Sequence, residues 1–234
     1  MAQQDNKNCR VVELGLVPYR AALSLQKRDV ERLQRGDGEE VLYLLEHPHV
    51  ITLGRNATGD AIRADRQDIA RRGVEVARTD RGGDATYHGP GQLVGYPLLR
   101  LEPGRRDIRR YVDDLEEMLI RTVADFGIAG RRHASHRGVW VAERKIASVG
   151  VRISRWVTCH GFALNVSTDL SFFSLINPCG IEGCIMTSME RELGRAVDMA
   201  SVRHAVARHF SAVYDRRVRW GRAEALVEGR GSDG

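Results

Sequence analysis

The sequence has no run of about 18 apolar residues, so it offers no helix able to span a membrane, and no membrane association is expected. The first residues, Met1–Asn8, lack the apolar stretch of a secretory leader. Cysteine is scarce: there are four, Cys9, Cys159, Cys179 and Cys184, and no spacing is C-x-x-C. A structural zinc site is therefore disfavoured and no metal is expected. With no leader, the thiols are expected in a reducing, cytoplasmic setting, where a cysteine reads as catalytic, metal-binding or plain core. The chain carries neither G-x-G-x-x-G nor G-x-x-x-x-G-K-[ST], so no nucleotide cofactor is indicated. It has no internal repeat. No basic module interleaved with aromatic residues is present, so nucleic acid is not an expected partner. The net charge of +5 is spread over scattered arginines and suits an acidic protein partner.

What is present suits one globular domain: 234 residues, 42% of them apolar. The expected domain is 10–225, with tails at 1–9 and 226–234. Strands are expected at Val11–Leu16, at the apolar run Val41–Leu45, at Val50–Leu53, at Val74–Ala77 and at Leu93–Leu98. Pro18 opens a helix that Gly36 stops, and Asp65 caps a short one closed by Gly73. Gly104–Phe126 carries an apolar stripe of Ile108, Tyr111, Leu115, Met118, Leu119 and Thr122 at helical spacing. Gly138–Val141 and Lys145–Ile153 read as a hairpin, followed by a third strand at Trp156–Val166. Thr168–Leu175 reads as a short helical turn, Asp198–Tyr214 as a closing helix, and Val218–Trp220 as an edge strand. Irregular interleaving with frequent hairpins predicts an α+β fold: a mixed, mostly antiparallel sheet flanked by helices.

The densest chemistry lies in Arg81-Gly82-Gly83-Asp84-Ala85-Thr86-Tyr87-His88-Gly89-Pro90-Gly91-Gln92. Glycines there let backbone approach a ligand closely, with a guanidinium, a hydroxyl, a phenol and an imidazole beside it. That is the wall of a site rather than its reaction centre. A nucleophile is suggested by Cys179, held between Pro178 and Gly180 on an irregular turn where a core thiol has no reason to sit. A thiol of pKa about 8.5 needs activation at neutral pH. His47, His49, His88 and His160 are candidate activators. So is Lys145, whose ammonium would lower the thiol pKa, although a lysine in such a strand is by default a snorkelling edge residue.

These residues resemble a known family. The Glu46-His47-Pro48 triplet, the Arg81–Leu93 segment, Gly138-Val139-Trp140-Val141, Lys145–Val151, His160-Gly161-Phe162-Ala163-Leu164-Asn165-Val166 and Pro178-Cys179-Gly180-Ile181 occur in the order seen in the octanoyltransferases of lipoate biosynthesis. The resemblance implies a single domain folded like the catalytic domain of biotin and lipoate protein ligases. It implies transfer of octanoate from octanoyl-acyl carrier protein to a lysine of a lipoyl domain, as found in 2-oxoacid dehydrogenases and the glycine cleavage H protein. It implies a thioester on Cys179 paired with Lys145 in a Cys-Lys dyad. The acyl group would be held by Arg81, Gly82, Gly83, Asp84, Ala85, Thr86, Tyr87 and His88, by Ser148, Val149 and Gly150, and by Gly161, Phe162 and Ala163. Gly82, Gly83 and Gly150 would line a narrow acyl tunnel, and His88 would position the acceptor amine. Cys159 is expected to have no catalytic role. An ATP-dependent ligase of the same fold and a non-catalytic carrier-binding module are the competing readings.

Overall fold

The structure, a computed structural model, describes residues 7–177 and 183–222. Cys179 with its neighbours Pro178, Gly180 and Ile181, and the tails at 1–6 and 226–234, lie outside the described residues. In chain order the elements are β1 (Asn8–Leu16), α1 (Tyr19–Arg35), β2 (Val41–Glu46), β3 (Val50–Leu53), α2 (Arg66–Arg71), β4 (Glu75–Arg78), β5 (Ala85–His88), β6 (Gln92–Leu98), α3 (Ile108–Ala124), β7 (Arg131–Arg132), β8 (Val139–Val141), β9 (Arg144–Ser154), β10 (Val157–Asn165), β11 (Ile185–Met186), α4 (Met189–Leu193), α5 (Met199–Tyr214) and β12 (Arg217–Gly221). Short 3₁₀ segments lie at Pro103–Arg105 and Leu170–Leu175.

Among the described residues the strands form two sheets. The larger runs β12-β1-β2-β6-β10-β9-β8-β7, with β11 added alongside β9. Its pairs at β1–β12, β1–β2 and β9–β11 are parallel and the rest antiparallel. The smaller runs β4-β3-β5. The mixed α+β architecture matches the expectation.

Strand alternation decides what covers each face. Leu42, Leu44 and Leu93 point into a core shared with Leu115, Met118 and Leu119 of α3 and Val206 and Phe210 of α5. Val41, Tyr43, Leu45 and Val94 point the other way, against Ala22, Val30 and Leu33 of α1. Both faces of β2 are covered, which is why it reads as an unbroken apolar run rather than an alternation. The third core lies under the small sheet, where Ile51, Ala85 and Tyr87 meet Phe173 and Leu175.

Local signals set most boundaries as expected. Pro18 precedes α1, and Gly36 ends it at φ +92° with its N–H on the carbonyls of Arg32 and Leu33. Asp65, Asp107 and Asp198 cap α2, α3 and α5 through their carboxylates. Three expectations change. The first strand begins at Asn8 rather than Val11, because β12 pairs with it from Asn8 onward. Ile108 sits at the start of α3 and is 55% exposed, so the buried stripe begins at Tyr111. A third of the glycine-rich segment is strand β5, hydrogen-bonded to β3 over Ala85–His88. No helix among the described residues is long and apolar enough to cross a membrane.

Candidate active site

The glycine-rich segment is anchored on both sides. The N–H of Gly82 donates to the carbonyl of Val151 in β9 at 2.9 Å. On the other side, the N–H groups of Gly54, Arg55 and Asn56 donate to the carbonyls of Asp84, Arg81 and Gly83. The Arg81 guanidinium turns inward, is 8% exposed, and donates to the carbonyl of Thr52 at 2.7 Å and its hydroxyl at 2.9 Å. The segment is thus a strut between the two sheets rather than a free loop. Glycine eases the packing: a Cβ on Gly82 would meet the Val151 carbonyl at 3.2 Å, and one on Gly150 the Gly82 carbonyl at 3.1 Å, both tighter than ordinary contact.

Between this strut and the middle of the large sheet lies a cavity of about 200 Å³. Arg81, Gly83, Asp84, Ala85, Thr86 and His88 form one wall. Ser148, Val149 and Gly150 of β9 form the other with Gly161, Phe162 and Ala163 of β10. Those two triplets, on the consecutive strands of one hairpin, are direct cross-strand partners: Ser148 opposite Ala163, Val149 opposite Phe162, Gly150 opposite Gly161. Two residues of the expected set are placed differently. Tyr87 is fully buried and faces the third core, since neighbours on a strand point to opposite faces; its hydroxyl bonds His49 Nδ1 at 2.8 Å. Gly82 supports the wall from behind through its bond to Val151.

Lys145 also lines the cavity and is only 2% exposed. The snorkelling-edge expectation for it therefore fails. It lies on β9 between β8, where Trp140 is its partner, and β11, where Met186 is. Its Nζ sits 5.4 Å from the centre of the Trp140 ring. Its stem packs against the bare α-carbon of Gly138: a Cβ there would lie 2.7 Å from Lys145 Cε. Such burial of a lysine side chain is rare without a functional reason.

The four candidate histidines divide sharply. His47 is fully buried; Nδ1–H donates to the Val17 carbonyl at 2.6 Å and Nε2 accepts from the Tyr96 hydroxyl at 2.8 Å. Burial pushes its pKa down to about 4. His160 lines the cavity, with φ +59°, and donates from Nε2 to Asp80 at 2.7 Å. Burial lowers its pKa, while the bond to His160 holds Asp80 at about 2. His88 lines the cavity as a neutral imidazole, since burial pushes its pKa down to about 3. His49 lies outside the wall, stacked on Phe172 with ring centres 4.3 Å apart. Cys159 is 5% exposed in the α1-side core, and burial pushes its thiol up to about 11, which fits an inert core residue.

Sequence reasoning missed several cavity residues. Tyr19 enters from the first turn of α1, Tyr96 from β6, and Ser135, His136 and Arg137 from the segment before β8. Only Tyr19 carried a signal, its place on the inward face of α1. The 135–137 segment is held by Glu116 of α3, which is 1% exposed. Glu116 accepts the N–H of Gly138 at 2.8 Å and faces Arg137 at 3.3 Å and Arg132 at 3.5 Å.

A family model described as the lipoyl protein ligase A/B catalytic domain matches residues 18–211. The chain belongs to that family. A Solibacter usitatus protein named octanoyltransferase is 48% identical over 209 residues, covering 89% of this chain and 94% of its own length. One from Rubrobacter xylanophilus is 49% identical, covering 85% and 90%. One from Myxococcus xanthus is 49% identical over 88% of this chain, and the chain spans 59% of that longer protein. Among solved structures, lipoate-protein ligase A bound with ATP superposes with a TM-score of 0.79 at 18% identity, covering 94% of this chain and 90% of that one. A bi-partite lipoate protein ligase from Thermoplasma acidophilum gives 0.70 at 20% identity, covering 94% and 88%. The expected ligase-type fold is thus observed.

Proposed function

We propose that the chain is an octanoyltransferase that moves an octanoyl group from octanoyl-acyl carrier protein to the ε-amine of a lysine on a lipoyl domain, through a thioester on Cys179 with Lys145 as its partner. Lipoyl domains of 2-oxoacid dehydrogenases and the glycine cleavage H protein are the acceptors in this reading, and the reaction runs in the cytoplasm. The names of the relatives support the acyl group and the reaction class. The observation that carries the dyad is the burial of Lys145 in the cavity wall beside the expected acyl-binding residues. A tether adds support: Met186, seven residues after Cys179, is the strand partner of Lys145.

In the first step the Cys179 thiolate, held by the Lys145 ammonium, attacks the carbonyl carbon of the donor thioester. A new C–S bond forms, the carrier's C–S bond breaks, and the carrier thiol leaves with a proton from Lys145. One thioester replaces another, so no nucleotide is consumed. In the second step the acceptor amine attacks the enzyme thioester. A C–N bond forms, Cys179 leaves as thiolate, and the amine's proton returns to Lys145.

Intact-mass spectrometry after mixing the protein with octanoyl-acyl carrier protein tests this. An added octanoyl group is expected without ATP, and none in Cys179→Ala. No adduct in the unaltered protein under turnover conditions would overturn the covalent route.

A further inference from the structure

His88 belongs to a chain of hydrogen bonds whose direction can be assigned end to end. The carbonyl oxygen of Thr187 can only accept, so Asn165 presents its Nδ2 to it at 2.9 Å. That leaves Asn165 Oδ1 to accept from Gln92 Nε2 at 2.9 Å, and the same Nε2 donates to the Tyr87 carbonyl at 3.1 Å. Gln92 Oε1 therefore faces His88 and accepts from its Nδ1–H at 2.7 Å. Asn165, Gln92 and His88 are buried, so water does not scramble the order. The outcome is one fixed tautomer: Nδ1 carries the proton, and Nε2, which has no hydrogen-bond partner among the described residues, keeps a lone pair on the cavity side. The relay ends on the strand segment that serves the lysine, because the Thr187 N–H donates to the Lys145 carbonyl at 2.9 Å.

Among the described residues no charged group hydrogen-bonds that nitrogen, although Lys145, Arg137, His136 and Asp84 line the same cavity. Tyr19 stacks over the ring at 6.4 Å and His47 meets it edge-on at 5.7 Å, with both His47 nitrogens already engaged. Besides His47, the groups whose charge acts on the His88 ring are Arg81 and His160, the latter paired with Asp80. Arg81 is turned toward Thr52 and His160 toward Asp80. His160 and the Arg81 guanidinium act on His88 in the same direction as burial, against its protonation.

We propose that His88 Nε2 is the acceptor that orients the incoming lysine amine, and that Gln92 and Asn165 are positioning residues that fix His88 in the tautomer this needs. The proposal rests on the acyl-enzyme reading above and concerns only its second step. An amine attacking a thioester must present its nitrogen lone pair to the carbonyl carbon, so its N–H groups point away and need an acceptor. A neutral imidazole nitrogen provides one, whereas an imidazolium has no acceptor and would instead donate to the amine's lone pair and block its attack. The C–N bond forms, the C–S bond breaks and the departing proton goes to Lys145 as before; His88 holds the amine and changes no bond. The donor thioester brings no such N–H, so the first step needs no acceptor at His88 Nε2.

The test separates the steps by mass spectrometry: the rate at which the octanoyl adduct appears, then the rate at which it is lost to a lipoyl domain in a single turnover. The variants are His88→Asn, which keeps a group only near Nδ1, His88→Gln, which can return an acceptor near Nε2, and Gln92→Glu. Adduct loss to the lipoyl domain is expected to fall on the order of 100-fold in His88→Asn, at least about tenfold more than adduct formation falls, and to be partly restored in His88→Gln. In Gln92→Glu a carboxylate beside Nδ1 raises the His88 pKa, and adduct loss gains an acid-side decline absent from the unaltered protein. Unchanged adduct loss in His88→Asn, or equal falls in both steps, would overturn the proposal. Should His88→Asn fail to fold by circular dichroism, the Gln92→Glu pH profile decides, and a profile identical to the unaltered protein's overturns it. Absence of any adduct in the unaltered protein overturns the covalent reading itself, a distinct result.

Discussion

Lys145 and Gly138 form a single unit at the residue scale. A buried ammonium needs a defined seat, and here the seat is an aromatic face on one side and a missing side chain on the other. Gly138 has φ +113°, and any Cβ there would run into the Ala147 carbonyl and press on Lys145 Cε at 2.7 Å. Gly138→Ala should therefore cost about 2–4 kcal/mol, combining backbone strain of about 1–3 kcal/mol with local overpacking. It should also slow octanoyl-adduct formation at least about tenfold, since a displacement on the order of 1 Å at a reacting group can cost 100-fold. Gly104→Ala is the control: its φ is not positive and nothing lies within 4 Å of the added carbon. Thermal melts and adduct kinetics of the two variants check this, and equal behaviour would show that the glycine seat does not position the lysine.

On the scale of elements, α3 does more than fill the core. Its inner stripe packs on the sheet, while Glu116 reaches the segment leading into β8 and accepts the Gly138 N–H. Glu116→Gln keeps an acceptor for that N–H but gives up the charge toward Arg132 and Arg137. Both arginines are nearly half exposed, so the stability loss should be modest, about 1–2 kcal/mol. Glu116→Ala leaves the buried N–H unsatisfied and should cost about 2–4 kcal/mol. Both should slow adduct formation, Glu116→Ala more, as followed by denaturant melts and adduct kinetics. Stability falls with no change in adduct kinetics would limit Glu116 to a structural role. Glu116 was not legible in the sequence because it looks like any other charge on a helix with mixed charges; only the fold shows that α3 presents it inward. The same limit explains β5 and β11. Ala85–His88 is a four-residue strand hidden among glycines, and Ile185–Met186 is two residues long, so neither has a period to read. The turn at Arg155-Trp156 has φ +49° and +61°, with none of the glycine or asparagine that announces such turns. By contrast α1, β2 and α5 were legible, because their caps and apolar patterns are local. The site walls were legible through their motifs, but Tyr87 was assigned to the cavity because alternation along an unrecognised strand could not be applied.

For the whole molecule, the site region is acid-sensitive by construction. Packing two sheets around the cavity buries His47 and His88 side by side, 5.7 Å between ring centres, with His160 nearby. Burial lowers all three pKa values, to about 4 for His47 and about 3 for His88. In the unfolded chain each binds its proton near pH 6.5. Between about 6.5 and 4 the unfolded chain thus holds protons that the folded one refuses. Stability is full above about 6.5 and falls as pH drops through that window, by up to about 1.4 kcal/mol per pH unit for each histidine. Asp80, held at about 2 by its bond to His160, adds a loss of the same sign but only below about 3.8, outside the window. Glu40 and Asp114, both raised by burial, act with the opposite sign and offset part of the fall near its acid end. Denaturant melts at half-unit steps from pH 7.5 to 4.5 should show the midpoint falling steadily below pH 6.5. His47→Gln, which removes one such titration, should flatten the fall relative to its own value at pH 7.5, even though it starts lower for want of the bonds to Val17 and Tyr96. A flat profile in the unaltered protein would mean that these imidazoles take up protons near pH 6.5 in the fold as they do in the unfolded chain, and adduct loss would then show below that pH the acid-side decline expected only of Gln92→Glu.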